Sequence, residues 1–146
     1  MQSGLRSRAH SVGQNAYHLV WKPKYAMPVF RFERSRRVCD GVLRMIAFQH
    51  NMKVYELQVM PDHVHLFVEV PPTLCVSKAL QLFKGISSRV LRRNFPSLRK
   101  WNCLWSPGKF FRSVGNVTSD VITHYIAESR GGWKFARQKK LASFAT

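Results

Sequence analysis

His63 and His65 stand one residue apart in "MPDHVHLFVEV", residues 60–70. Side chains of an extended strand alternate between its faces, which puts Val64, Leu66, Val68 and Val70 on one side and His63, His65, Phe67 and Glu69 on the other. The aliphatic set is suited to packing against helices, so both imidazoles should project from the opposite, open face, close enough to share one metal ion. Asp62, immediately before the pair, offers a further oxygen ligand. Two ring nitrogens completed by oxygens and water suit Mg²⁺ or Mn²⁺ chemistry on phosphates at least as well as zinc. The competing reading is a pair of ordinary surface or hydrogen-bonded histidines, and the H-x-H spacing alone does not decide between them.

Tyr125 is the second residue able to do chemistry. At the edge of a helix's apolar face a tyrosine is ordinarily a core residue with its hydroxyl at the surface. A phenol helped to lose its proton by a metal or a base is nonetheless a competent nucleophile. His124 adjoins it in sequence but points ~100° away around the helix.

The elements that must position these groups can be read from periodicity. "YHLVWK" (17–22) is a strand interrupted by "PKYAMP". In "RFERSRRVCDGVLRMIAFQHN" the spacing of Cys39, Val42, Leu43 and Ile46 predicts an amphipathic helix with arginines outside. "KVYELQVM" (53–60) is a second strand, and "PD" turns it into the histidine strand as a hairpin. "PPTLCVSKALQLFKGISSRVLRRNFP" carries Val76, Ala79, Leu80, Phe83 and Val90 on one stripe and ends at Pro96. A loop "KWNCLWSPGK" then leads to a short strand "FFRSVG", and "NVTSDVITHYIAESRGG" predicts a last helix capped by Thr118 and stopped by a glycine pair. The order β-α-β-β-α-β most economically makes an α+β fold: a four-stranded antiparallel sheet with two helices on one face, plus an extra C-terminal helix carrying the tyrosine. One domain spans 1–146, with its core at about 15–130 and a basic tail at 131–146.

Charge narrows the partners. The chain has 24 Lys plus Arg against 7 Asp plus Glu, a formal charge of +17, so a polyanion is expected, nucleic acid ahead of an anionic membrane. No apolar run approaches the ~20 residues of a bilayer span. "MQSGLRSRAHSVGQ" lacks the apolar centre of a signal peptide, so a cytoplasmic location is expected. Cys39, Cys75 and Cys103, odd in number and widely spaced, are expected to be reduced thiols. Basic and aromatic residues interleave through Tyr17, Trp21, Lys22, Lys24, Tyr25, Trp101, Trp105, Phe110 and Phe111, the mixture that single strands use: cations for phosphates, rings for bases. His18, Lys22, Lys24, Lys84, Arg89 and Arg112 are the candidate DNA contacts.

"YHLVWKPKY", "VMPDHVHLFVEV", "LWSPGKFFRSVGNVT" and "ITHYIAES", in this order and spacing, resemble the small single-tyrosine transposases of the HUH class, which mobilise insertion sequences as single-stranded DNA. The resemblance covers about residues 15–130. It implies a ferredoxin-like or RRM-like core, Mg²⁺ or Mn²⁺ held by His63 and His65, and Tyr125 as the nucleophile that leaves a 5′-phosphotyrosine link and a free 3′-OH. It also implies single-stranded DNA with hairpin ends as partner, and a homodimer in which each tyrosine helix completes the other subunit's metal site. One position departs from the pattern: the family usually has a glutamine as third ligand four residues after the tyrosine, where this chain has Ser129. Glu128, on nearly the same helical face, Asp62 or water are the substitutes. The alternative readings are a non-catalytic single-stranded DNA or RNA-binding module and a domesticated relative that cuts chromosomal repeats.

Overall fold

The computed structural model describes residues 15–114. They form four strands, β1 (Ala16–Pro23), β2 (Lys53–Met60), β3 (His63–Glu69) and β4 (Trp105–Val114), and two helices, α1 (Glu33–Gln49) and α2 (Val76–Asn94). The sheet is antiparallel in the order β2-β3-β1-β4, the ferredoxin-like arrangement expected of this element order. The helix expected over 118–130, with Tyr125, Glu128 and Ser129, and the basic tail lie outside the described residues.

Both helices lie where their stripes direct them. Cys39, Val42, Leu43 and Ile46 of α1 and Ala79, Leu80 and Phe83 of α2 are buried. They share one core with Leu19 and Trp21 of β1, Leu57 of β2 and Val64, Leu66, Val68 and Val70 of β3. At its centre Trp21 stacks on Phe83 with ring centroids 6.1 Å apart and meets Trp105 edge-on at 5.9 Å. Burying such rings supplies the main driving force of the fold. The start of α1 is held by Ser35, whose hydroxyl lies 2.8 Å from the Phe32 carbonyl and 3.1 Å from that of Val29. Glu33 in the first turn complements the positive end of the helix. Among the described residues no helix is long and apolar enough to cross a membrane.

Two expectations are corrected. β4 begins at Trp105, within the segment expected to be a loop, and runs through Pro107 and Gly108. The proline is tolerated there because, among the described residues, β4 is an edge strand whose register with β1 shifts between Trp21 and Pro23, so a missing N–H costs no inner ladder bond. The expectation of an open second face is corrected for β3 alone: every residue of β3 is buried, His65 completely, whereas Arg112 of β4 on the same face is exposed. β3 lies between β1 and β2, and side chains of neighbouring strands crowd this face, with Phe67 against Tyr55 at 5.0 Å and His65 against His18 at 3.8 Å between ring centroids.

Polar ties join α2 to the end of the second crossover. The Trp105 indole N–H donates to the Ser87 hydroxyl at 2.9 Å, the Leu104 amide to Ser88 at 3.0 Å, and the Lys84 ammonium to the Ser106 carbonyl at 2.8 Å. Ser87 in turn donates to the Phe83 carbonyl. Buried hydroxyls are thereby satisfied without breaking the helix.

Candidate active site

Register brings the imidazoles together. His65 lies opposite Val20 of β1 and Gln58 of β2, and His18 lies opposite Phe67. His18 is thus diagonal to His65 on the same face, its ring at 78° to that of His65. His18, named from the sequence among the DNA contacts, is only 6% exposed and belongs spatially with the histidine pair. His63 Nδ1 is 2.8 Å from Asp62 Oδ1, with the histidine side chain 9% and the aspartate 57% exposed. A carboxylate only accepts, so in this contact Nδ1 carries the proton, which is how an outer carboxylate orients a metal-binding histidine. Two nitrogen donors on one buried face, one of them oriented, fit a divalent ion. Among the described residues no group of three or more His, Cys, Asp or Glu is arranged to hold one.

The remaining candidates divide by face. Arg112 lies across from His18 in register and is exposed. Lys22 follows Val20 on the same face by alternation. Arg89 is exposed on α2, in the opposite layer, with Lys84 bound to Ser106. Lys24 begins the turn after β1, its amide donating to the Leu104 carbonyl at 2.9 Å. Trp21 and Trp105 are core, whereas Tyr25 is 79% exposed and stands 6.5 Å from Trp101.

Two tyrosines of the described region are tied into the fold. Tyr17 packs edge-on against Phe111 at 6.5 Å and rests on the core. The Tyr55 hydroxyl donates to Glu69 Oε1 at 2.7 Å, and burial, then that hydrogen bond and the carboxylate's charge, push its phenol well above the ordinary range. Such a phenol stays protonated and is a weak nucleophile. Burial, reinforced by the nearby Asp40, likewise pushes the Cys39 thiol up and keeps it inert.

Sequence reasoning missed a second cluster, in which Phe32, Phe95 and Trp101 with Arg31, Arg34 and Lys100 line a cavity of about 510 Å³. Phe32 and Arg31 carry the only local signal, an exposed ring beside cations ahead of a helix.

A βαββαβ sheet with helices on one face and paired histidines on the central strand of the other places the molecule among ferredoxin-like α+β proteins built around an H-x-H strand. The chain belongs to the family of IS200-like transposases, which its residues 11–129 match. It is 32% identical over 133 residues, 87% of each chain, to the transposase for insertion sequence element IS200 of Salmonella typhimurium. The crystal structure of a transposase from Deinococcus radiodurans R1 is similar, at 33% identity and a TM-score of 0.62 over 77% of this chain and 88% of that one. A tyrosine transposase associated with REP sequences, solved with a REP hairpin, shares the fold at 13% identity, with a TM-score of 0.57 over 84% of this chain and 71% of that one.

Proposed function

We propose that this transposase cleaves and rejoins single-stranded DNA at the hairpin-bearing ends of an insertion sequence, through a covalent link to Tyr125. The observation that carries the reading is His63, oriented by Asp62 at 2.8 Å beside fully buried His65, in a chain of the IS200-like family. The REP-hairpin complex of a protein with this fold supports a hairpin as the ligand class.

In this reading the Tyr125 oxygen forms a bond to the scissile phosphorus as the bond to the 3′-oxygen breaks. The phenol proton leaves to solvent or a local base, and the 3′-oxygen ends as a hydroxyl. The reverse attack by a 3′-OH restores a phosphodiester, and no nucleotide cofactor is consumed because the phosphotyrosine keeps the bond energy. His63 and His65 would hold Mg²⁺ or Mn²⁺, which when bound polarises the phosphate as a Lewis acid. Glu128, Ser129 or water completes the ligand set. Asp62 fixes the His63 ring, and Lys22 and Arg112 on the same face steer the strand's phosphates. Two subunits pairing with shared sites would bring two DNA ends together.

The test is a denaturing gel after incubation of labelled single-stranded element ends with Mg²⁺. The wild type should give a protein–DNA adduct and Tyr125→Phe none, with DNA binding retained. An adduct from Tyr125→Phe places the nucleophile elsewhere, and binding with no adduct from the wild type favours a non-catalytic single-strand-binding module. For the pairing, Tyr125→Phe and His63→Ala chains in verified mixed dimers should regain cleavage, and persistent inactivity would reject shared sites.

A further inference from the structure

We propose that the cavity between the β1–α1 connection and the segment after α2 receives one unstacked base of the single strand together with its flanking phosphate. The inference rests on the reading of the chain as acting on single-stranded DNA and adds where, outside the histidine face, the strand is gripped.

Three features converge. The cavity, at about 510 Å³, falls within the ~300–1,000 Å³ usual for small-ligand sites. Its rings are held from outside the site. Arg36 donates to the Phe30 and Arg31 carbonyls at 2.9 and 3.1 Å, and Arg99 to those of Arg92 and Arg93 at 3.0 and 3.1 Å, so these two arginines hold the walls. The cations that line it are differently placed. Arg31 lies over Phe32 at 4.8 Å, Arg34 over Phe95 at 5.3 Å and Lys100 over Trp101 at 4.6 Å from the ring centroid. None of the three has a carboxylate partner among the described residues.

A ring with a cation against it is a stacking surface beside a phosphate ligand, the pairing that single-strand binders repeat. Phe32 is 63% exposed, available on its outer side. The backbone supports the same conclusion. Tyr25 and Ala26 adopt left-handed φ values of 59° and 51° in succession, which non-glycine residues avoid. That turn presents Tyr25 next to Trp101, and strained backbone concentrates at working sites. The connection is anchored to the histidine strand's turn by the Phe30 amide, 3.0 Å from the Pro61 carbonyl, one residue before Asp62.

The test uses the full chain and two fluorescent probes of equal length and charge, oligothymidylate and a wholly abasic strand. The wild type should prefer oligothymidylate by about 5-fold or more, the scale of one base stacked on a ring. Phe32→Ala should lose most of that preference without weakening the abasic probe. Arg31→Gln with Arg34→Gln should weaken both probes alike and lower the slope of log affinity against log salt by about 0.7 for each phosphate that is no longer neutralised. All three side chains are exposed, so unchanged melting curves should accompany these losses. Equal affinity of the wild type for both probes, or a preference untouched in Phe32→Ala, overturns the base pocket. Adduct formation by Tyr125 on element ends is scored separately: an adduct with unaltered pocket variants sinks only the pocket, and altered pocket variants with no adduct sink only the catalytic reading.

Discussion

The two faces of the central strands are both buried and yet built from opposite materials. Facing the helices, Leu19, Trp21, Val64, Leu66 and Val68 form a dry core in which shape alone matters. Facing away, the same strands bury His18, His63, His65 and Glu69. Polar groups taken out of water cost free energy that packing does not return. A sheet selected only for stability would place aliphatic residues on both faces, so the contrast separates what holds the molecule together from what it is for.

The contrast is broken most severely on the helix side. Phe83→Ala removes a fully buried ring from between Trp21 and the helices, and a loss of ~3–5 kcal/mol is expected, visible as a large drop in melting temperature or failure to fold. On the other face the expected loss is of function. Asp62→Ala should weaken Mn²⁺ binding by ~10–100-fold in calorimetry while stability changes little. Asp62→Asn sharpens this point: its amide oxygen still accepts from His63 Nδ1, so affinity near wild type marks Asp62 as the residue that orients His63, and a loss equal to that of alanine marks it as a direct ligand.

Smaller effects belong to single hydrogen bonds. Ser87→Ala deletes the acceptor of the Trp105 indole N–H and should cost ~1–3 kcal/mol in urea titration, with no change in DNA binding. Tyr55→Phe deletes the bond to Glu69 and acts through pH. Because folding raises the Tyr55 phenol, the folded state holds its proton more tightly than the unfolded one. Its contribution is complete below the ordinary tyrosine value of ~10 and declines as pH rises beyond it. The wild type should therefore lose stability above pH ~10 more steeply than Tyr55→Phe, and equal slopes would show that the hydroxyl is solvated in the folded protein.

What was legible in the sequence follows the same division. Residues 53–60 read as a strand and are one, and the stripes of both helices are buried as their spacing requires, because periodicity records local geometry. The alternation of β3 assigned its faces correctly for the same reason. The burial of the histidine face and the approach of His18 to His65 depend on the pairing of Val20 with His65, a long-range register that no local pattern carries. The start of β4 was hidden because Pro107 and Gly108 signal a loop everywhere except at a sheet edge. Phe32, Phe95 and Trp101 stand far apart in the chain and meet only after the crossovers close.

The break in the ladder where β1 passes from Trp21 to Pro23 and β4 from Trp105 to Lys109 has a consequence for life in a crowded cell. An exposed strand edge invites neighbouring chains to add their own strands, the first step toward aggregated fibres. Along β4 the invitation is cut short: Pro107 has no amide hydrogen to offer, and the shifted register carries the backbone out of line beside it. Only the stretch from Lys109 to Val114 keeps a regular rhythm with β1. Any second chain that extends this sheet along β4 must do so over those few residues, so orderly pairing remains open there while growth along the whole of that edge is discouraged.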